Sequence, residues 1–213
     1  MDTNKGYLLV VEDIPDILAL LDTTLKFKGY RVVTARNGQE AYELIQKERP
    51  ALVVTDILMP KMDGFSLVHR LRLAPSTRNI PVIFLSATYV APEDKSFALT
   101  IGATRFMEKP VVLEEFLPLI EELLTKPTPA VKEPLSEEDF YTGYRKRLEI
   151  KLAEKNTQII RAEGLLRSVS EHEKEGFNMS LHQAINERRE IMRLLDEINV
   201  LLEKEKTTSE PKP

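Results

Sequence analysis

Five residues in this chain have side chains suited to shared chemistry, and each follows a short apolar run. Glu12 and Asp13 follow the run Tyr7 to Val11, Asp56 follows Leu52 to Thr55, Ser86 follows Pro81 to Leu85, and Lys109 follows Glu108 at the end of the short strand-like segment Arg105 to Met107. If the runs are strands of one parallel sheet, these residues meet at its carboxyl edge, where open α/β sheets place their ligand crevice. Three carboxylates brought together repel one another, and their pKa values rise unless a cation joins them. A hard divalent cation resolves the repulsion, and Mg²⁺ is commonly held by one or two carboxylates with water and phosphate. Lys109 offers a point charge for a phosphoryl oxygen, and Ser86 offers a hydroxyl donor. An Asp carboxylate can itself attack phosphorus and form an aspartyl-phosphate. Metal, ammonium and hydroxyl would then stabilise the charge of an in-line transfer. Taken singly, each residue has a plainer reading: a solvated turn for Glu12-Asp13, a turn hydroxyl for Ser86, a surface lysine for Lys109. Their joint pattern is what points to one site.

The elements that must position these residues alternate in type. The continuous apolar run at 7–11 reads as a strand covered on both faces, 52–55 as a buried parallel strand, and 31–35, 81–85 and the short 105–107 as further strands. Between them, apolar residues at helical spacing mark helices: Ile17, Leu18, Leu21 and Leu25; Ala41, Leu44 and Ile45; Phe65, Leu67, Val68 and Leu71; Phe97, Ala98 and Ile101; and Val112 to Leu124, where Pro118 is a candidate kink. Five strands alternating with five helices call for a parallel sheet with helices on both faces and right-handed connections. Asp63-Gly64 reads as structural, with the glycine supplying a positive φ.

Composition narrows the remaining possibilities. The chain has 213 residues, a formal net charge of −4 and no cysteine, which excludes disulfides, thiolate catalysis and Cys-ligated zinc. The first apolar run is too short for a signal peptide or a membrane span, so a cytoplasmic protein without membrane attachment is expected. Residues 126–135 carry Pro127, Pro129 and Pro134 and read as an extended, stiff linker. Beyond them no strand pattern recurs. Ser136-Glu137-Glu138-Asp139 has the form of a helix start. The stripe Phe140, Tyr144, Leu148, Leu152, Ile159, Ala162, Leu166, Val169 follows, interrupted at Lys155. A second stripe, Phe177, Leu181, Ala184, Arg188, Ile191, Leu195, Ile198, Leu202, steps by four and three, which is a coiled-coil seam with one polar position. Together they predict an antiparallel helical hairpin turning near 170–176, with Ser170 and Glu173 as an alternative early cap.

The order and spacing of Glu12-Asp13, of Asp56 within Val54 to Gly64, of Ser86-Ala87 and of Glu108-Lys109-Pro110 resemble the response-regulator receiver family of two-component signalling over about residues 5–125. The resemblance implies an α/β fold of flavodoxin-like type, a five-stranded doubly wound parallel sheet of order 2-1-3-4-5. It implies phosphorylation of Asp56 by a sensor histidine kinase, with Mg²⁺ on Glu12, Asp13, Asp56 and the Leu58 carbonyl. Ser86 and Lys109 complete the site. Phe106 stands at the family's aromatic switch position and partners Ser86 there; as Phe it lacks the hydroxyl of the Tyr variant, and an ordinary core residue is the equal alternative. Leu58 and Thr88 stand where family members tune dephosphorylation. The expected organisation is a receiver domain at 1–125, a linker at 126–135, an all-α hairpin at 136–206 and a disordered tail at 207–213.

The resemblance ends at the linker. The expected output is an unidentified protein partner or homodimerisation through the C-terminal helices, with Ile160, Leu165, Leu194 and Leu201 widening the apolar face beyond what two helices need. One alternative is a relay passing phosphate to a C-terminal histidine, His172 or His182. Another is a DNA-binding regulator, against which the basic cluster Arg145-Lys146-Arg147 is offset by Glu137, Glu138, Asp139 and Glu149. An enzyme in the metabolic sense is not expected, since chemistry at Asp56 would be stoichiometric.

Overall fold

The computed structural model describes residues 6–126, 133–167 and 174–209. The expectations for most of the proline-rich stretch, for the turn near 170–173 with Ser170, His172 and Glu173, for Val169 and for residues 210–213 lie outside those. The chain forms two compact units, Met1–Leu135 and Ser136–Pro213.

In the first unit five strands alternate with five helices: β1 (Leu8–Val11), α1 (Pro15–Phe27), β2 (Val32–Ala35), α2 (Gly38–Lys47), β3 (Leu52–Asp56), α3 (Gly64–Leu73), β4 (Val82–Ser86), α4 (Pro92–Thr100), β5 (Arg105–Glu108) and α5 (Leu113–Thr125). All neighbouring strands pair in parallel, in the order β2-β1-β3-β4-β5. The expected sheet and its strand order are therefore present. Strands β1 and β4 are buried along their whole length, which is why they read as unbroken apolar runs. On one face Leu8, Val10, Leu52, Val54, Ile83 and Leu85 form a core with Leu21 and Leu25 of α1 and Phe116 and Ile120 of α5.

Local chemistry starts the helices. Pro15 opens α1, where its missing N–H costs nothing. The Asn37 side chain accepts the Glu40 amide to cap α2, and the Asp63 side chain accepts the Ser66 amide and hydroxyl to cap α3. Helix α5 runs through Pro118 without interruption.

The turn after β3 departs from expectation. Its left-handed residue is Lys61, with φ of 68°, and not Gly64. Gly64 is required for room instead. A Cβ there would lie 2.1 Å from the Asp56 carbonyl oxygen, while the Gly64 amide donates to the Ile57 carbonyl at 2.7 Å.

The second unit is a pair of long helices, α6 (Glu137–Leu166) and α7 (Lys174–Ser209). Ser136 Oγ accepts the Asp139 amide and caps α6. Lys155 Nζ of α6 meets Glu187 Oε2 of α7 at 2.5 Å, at similar distances from the connection, so the helices run antiparallel. The seam includes Leu148, Ile159, Ala184, Ile191, Ile198 and Leu202. Three positions differ from the expected stripes: Leu194 is buried where Leu195 is only half-buried, Lys151 is buried although it stands outside the first stripe, and Phe177, the first residue of the second stripe, is exposed. Helix α7 continues through Thr207 to Ser209. Extending an existing helix adds one hydrogen bond per residue fixed. Among the described residues no helix is long and apolar enough to cross a membrane.

Candidate functional site

The register of the sheet delivers the site. Val11 of β1 lies beside Thr55 of β3, so Glu12 and Asp13 leave β1 alongside Asp56. Asp56 pairs with Leu85, which puts Ser86 one step further out; Ser86 pairs with Glu108, and the Lys109 amide donates to the Ser86 carbonyl at 2.9 Å. Strand order reverses between β1 and β3, the position at which doubly wound sheets open a crevice.

Carboxylate oxygens of Glu12, Asp13 and Asp56 lie within 4.8 Å of one another. Glu12 is buried and Asp13 and Asp56 are half-buried. Lys109 Nζ stands between two of the three, 2.6 Å from Glu12 Oε2 and 3.1 Å from Asp56 Oδ2. The other Asp56 oxygen, Oδ1, accepts the Ile57 amide at 2.7 Å. The Lys109–Pro110 peptide bond is cis.

Burial pushes the Asp56 carboxyl up to about 7, against its ordinary value of 3.8. The Lys109 ammonium opposes the rise, Glu12 adds to it, and the Ile57 amide opposes it. For Lys109, burial alone would lower its value, but attraction to Asp56 and Glu12 and their hydrogen bonds outweigh burial and hold it above the usual lysine range. With all three carboxylates ionised, three negative charges face one ammonium, leaving an excess of two. A divalent cation with a preference for oxygen donors fits both the donor set and that charge. Leu58, half-buried in the turn beyond Ile57, offers a backbone carbonyl as a further donor.

Ser86 is buried, and its Oγ accepts the amides of Thr88 at 3.2 Å and Tyr89 at 3.0 Å. Phe106 is half-buried beneath α4, with Lys95 Nζ 5.9 Å from its ring centroid and the same ammonium 2.5 Å from Glu108 Oε1. His182 is exposed on α7, with Nδ1 2.7 Å from the Asn178 carbonyl. Sequence reasoning missed Tyr89. Its ring is buried three residues after Ser86, and only its place in the loop after β4 could have hinted at its contact with that residue.

Residues 8–121 match the family model of the response regulator receiver domain. A 14.6 kDa uncharacterized protein of Leptolyngbya boryana is 40% identical over 115 residues, covering 54% of this chain and 87% of that protein. Response regulator MprA of Mycolicibacterium vanbaalenii is 36% identical over 122 residues, covering 57% of this chain and 52% of that protein, so the chain spans about half the length of this relative. Among solved structures, the signal receiver domain of a signal transduction histidine kinase from Syntrophus aciditrophicus superposes with a TM-score of 0.53 at 36% identity, covering 60% of this chain and 97% of that one. The chemotaxis response regulator CheY4 of Vibrio cholerae gives 0.52 at 32% identity, covering 55% and 98%.

Proposed function

The chain belongs, through residues 8–121, to the response regulator receiver family of two-component signalling, and on that premise we propose that Asp56 is its phosphoacceptor. The observation that carries this reading is the Lys109 ammonium held between Glu12 and Asp56 beside a third carboxylate, at the carboxyl edge of the sheet. The donor is a phosphohistidine on a sensor kinase. An Asp56 oxygen attacks phosphorus, the P–O bond forms as the P–N bond breaks, and the nitrogen leaves with the electron pair and takes up a proton. Glu12, Asp13, Asp56 and the Leu58 carbonyl would hold Mg²⁺, which when bound would neutralise the carboxylates and the phosphoryl oxygens. Asp56 must be ionised to attack, and Lys109 keeps its carboxyl lower than burial alone would. As charge builds on the phosphoryl oxygens, Lys109 leaves Glu12 for one of them and the Ser86 hydroxyl donates to another. Ser86 and Phe106 form the switch pair.

The output is assigned to the hairpin α6–α7, which binds a protein partner or a second copy. Ile150, Ile160, Leu165, Met179 and Met192 are exposed apolar side chains on it, with Ile160 at 69% and Met179 at 72% exposure. Incubation of the full chain with Mg²⁺ and a small phosphoryl donor such as acetyl phosphate should label the wild type and leave Asp56→Asn unlabelled. Equal labelling of that variant refutes the assignment. Light scattering with and without the phosphoryl label tests the output: a mass increase supports self-association, and an unchanged mass assigns the hairpin to another protein.

A further inference from the structure

Four aromatic rings connect both sides of the site to α4. Phe65 is the second residue of α3, directly after Gly64, whose backbone is packed against the Asp56 and Ile57 carbonyls. The Phe65 ring lies edge to face with Phe84 of β4, with Tyr89 of the loop after β4 and with Phe97 of α4, each at 5.3 Å between centroids. Phe65, Phe84 and Tyr89 are fully buried. Tyr89 is in turn tied to the site, since its amide donates to Ser86 Oγ at 3.0 Å. The hub of the cluster thus hangs from the turn that leaves Asp56, and one spoke hangs from Ser86.

We propose that Ser86, Tyr89, Phe65 and Phe97 form a lever that carries the state of Asp56 to α4 along a route separate from Phe106. The proposal rests on Asp56 being the phosphoacceptor. A phosphoryl group there presents strong acceptor oxygens, and Ser86 is the hydroxyl placed one register step away. The same Oγ accepts two amides from residues 88 and 89, so a shift of Oγ toward the phosphoryl group would leave both N–H groups unpaired unless the loop follows it. The loop carries the Tyr89 ring with it. Packed interiors do not deform continuously, and edge-to-face contacts hold only over a narrow range of ring placements. Phe65 therefore repacks, and Phe97 transmits the change to α4. Phe106 stands outside these three ring contacts, under Lys95 on the strand beyond Phe84.

The test uses the full chain, isotope-labelled at backbone amides and aromatic rings, with Mg²⁺ and beryllofluoride as the phosphoryl analogue. Amide shifts at Ile57 and Lys109 report occupancy of the site. In the wild type the Tyr89 and Phe97 ring signals shift together with them. In Phe65→Leu the Ile57, Lys109 and Tyr89 responses persist and the Phe97 response is lost, whereas Phe106→Leu retains it. Tyr89→Leu, which leaves Ser86 Oγ and its two backbone partners in place, keeps the Ile57 and Lys109 responses and loses that of Phe97. A Phe97 response undiminished in Phe65→Leu or Tyr89→Leu, or abolished by Phe106→Leu, overturns the lever. Silent rings in the wild type beside responding Ile57 and Lys109 amides also overturn it. Silence of Ile57 and Lys109 themselves contradicts the phosphoacceptor reading and removes the premise.

Discussion

Replacing Asp56 by Asn should stabilise the receiver unit in alkaline solution and lose that advantage in acid. The folded carboxyl titrates near 7, against 3.8 ordinarily, so the fold favours its protonated form. Below the ordinary value both folded and unfolded chains are protonated, and Asp56 contributes nothing to the pH dependence. As pH rises from about 4 to 7 the unfolded chain ionises while the folded chain holds its proton, so stability falls through that window and is flat above it. The interval between 3.8 and about 7 corresponds to a cost of about 4 kcal/mol. Asn resembles the protonated carboxyl and escapes this cost. Urea unfolding without divalent cations, followed by NMR at the amides of β1 and β3, reports this unit alone. At pH 8 the variant should be more stable by about 4 kcal/mol, roughly a thousandfold in the folding equilibrium, and at pH 4 nearly level with wild type. A variant equal to or weaker than wild type at pH 8, or a gain independent of pH, would refute the reasoning that burial dominates the energetics of Asp56.

Three further outcomes follow from the same geometry. Lys109→Met removes the ammonium shared by Glu12 and Asp56 and should cost about 3 kcal/mol at pH 8, as expected when one partner of a buried ion pair is lost. The cost should shrink at pH 5, where Asp56 is protonated, and in saturating Mg²⁺; urea unfolding under the three conditions measures it. Gly64→Ala drives a methyl group into the Asp56 carbonyl and should destabilise the receiver unit by about 3 kcal/mol or more, visible as a lowered thermal midpoint. Lys61→Gly relieves a left-handed backbone at a side-chain-bearing residue, and should raise stability by about 0.5 kcal/mol after the added entropy of the unfolded chain is subtracted.

Much of the fold was legible because a parallel strand covered on both faces has a plain signature. Leu8 to Val11 and Val82 to Leu85 are unbroken apolar runs, and the polar residue ending each run is the one the sheet presents at its edge. That is also why the sequence alone groups Glu12, Asp13, Asp56, Ser86 and Lys109: parallel pairing brings strand ends together whatever their separation in sequence. Contacts between loops carry no such periodicity. Phe65, Tyr89 and Phe97 come from a helix start, a loop and a second helix, so nothing in their spacing marks them as one cluster. Gly64 was read as a conformational requirement because glycine in a turn suggests positive φ, whereas the constraint is a backbone passing too close for a Cβ. In the hairpin, residues three and four apart both fall on one helix face, so the four-three pattern leaves a choice between neighbouring leucines. Leu194, three residues after Ile191 and four before Ile198, takes the buried place that the stripe gave to Leu195, while Ile198 and Leu202 further along remain in the seam. Lys151 escaped notice because charge, not position, excluded it from the stripe.

The central claim is that Asp56 carries the phosphoryl group, and its most direct test is chemical. The full chain is phosphorylated with Mg²⁺ and a phosphoryl donor, and the acyl phosphate is then reduced with borohydride, which turns a phosphorylated aspartate into homoserine. Peptide mass spectrometry should locate the homoserine at position 56 and at no other aspartate. Homoserine at Asp13 or Asp63, or a stable phosphohistidine at His172 or His182 with Asp56 unmodified, would contradict it.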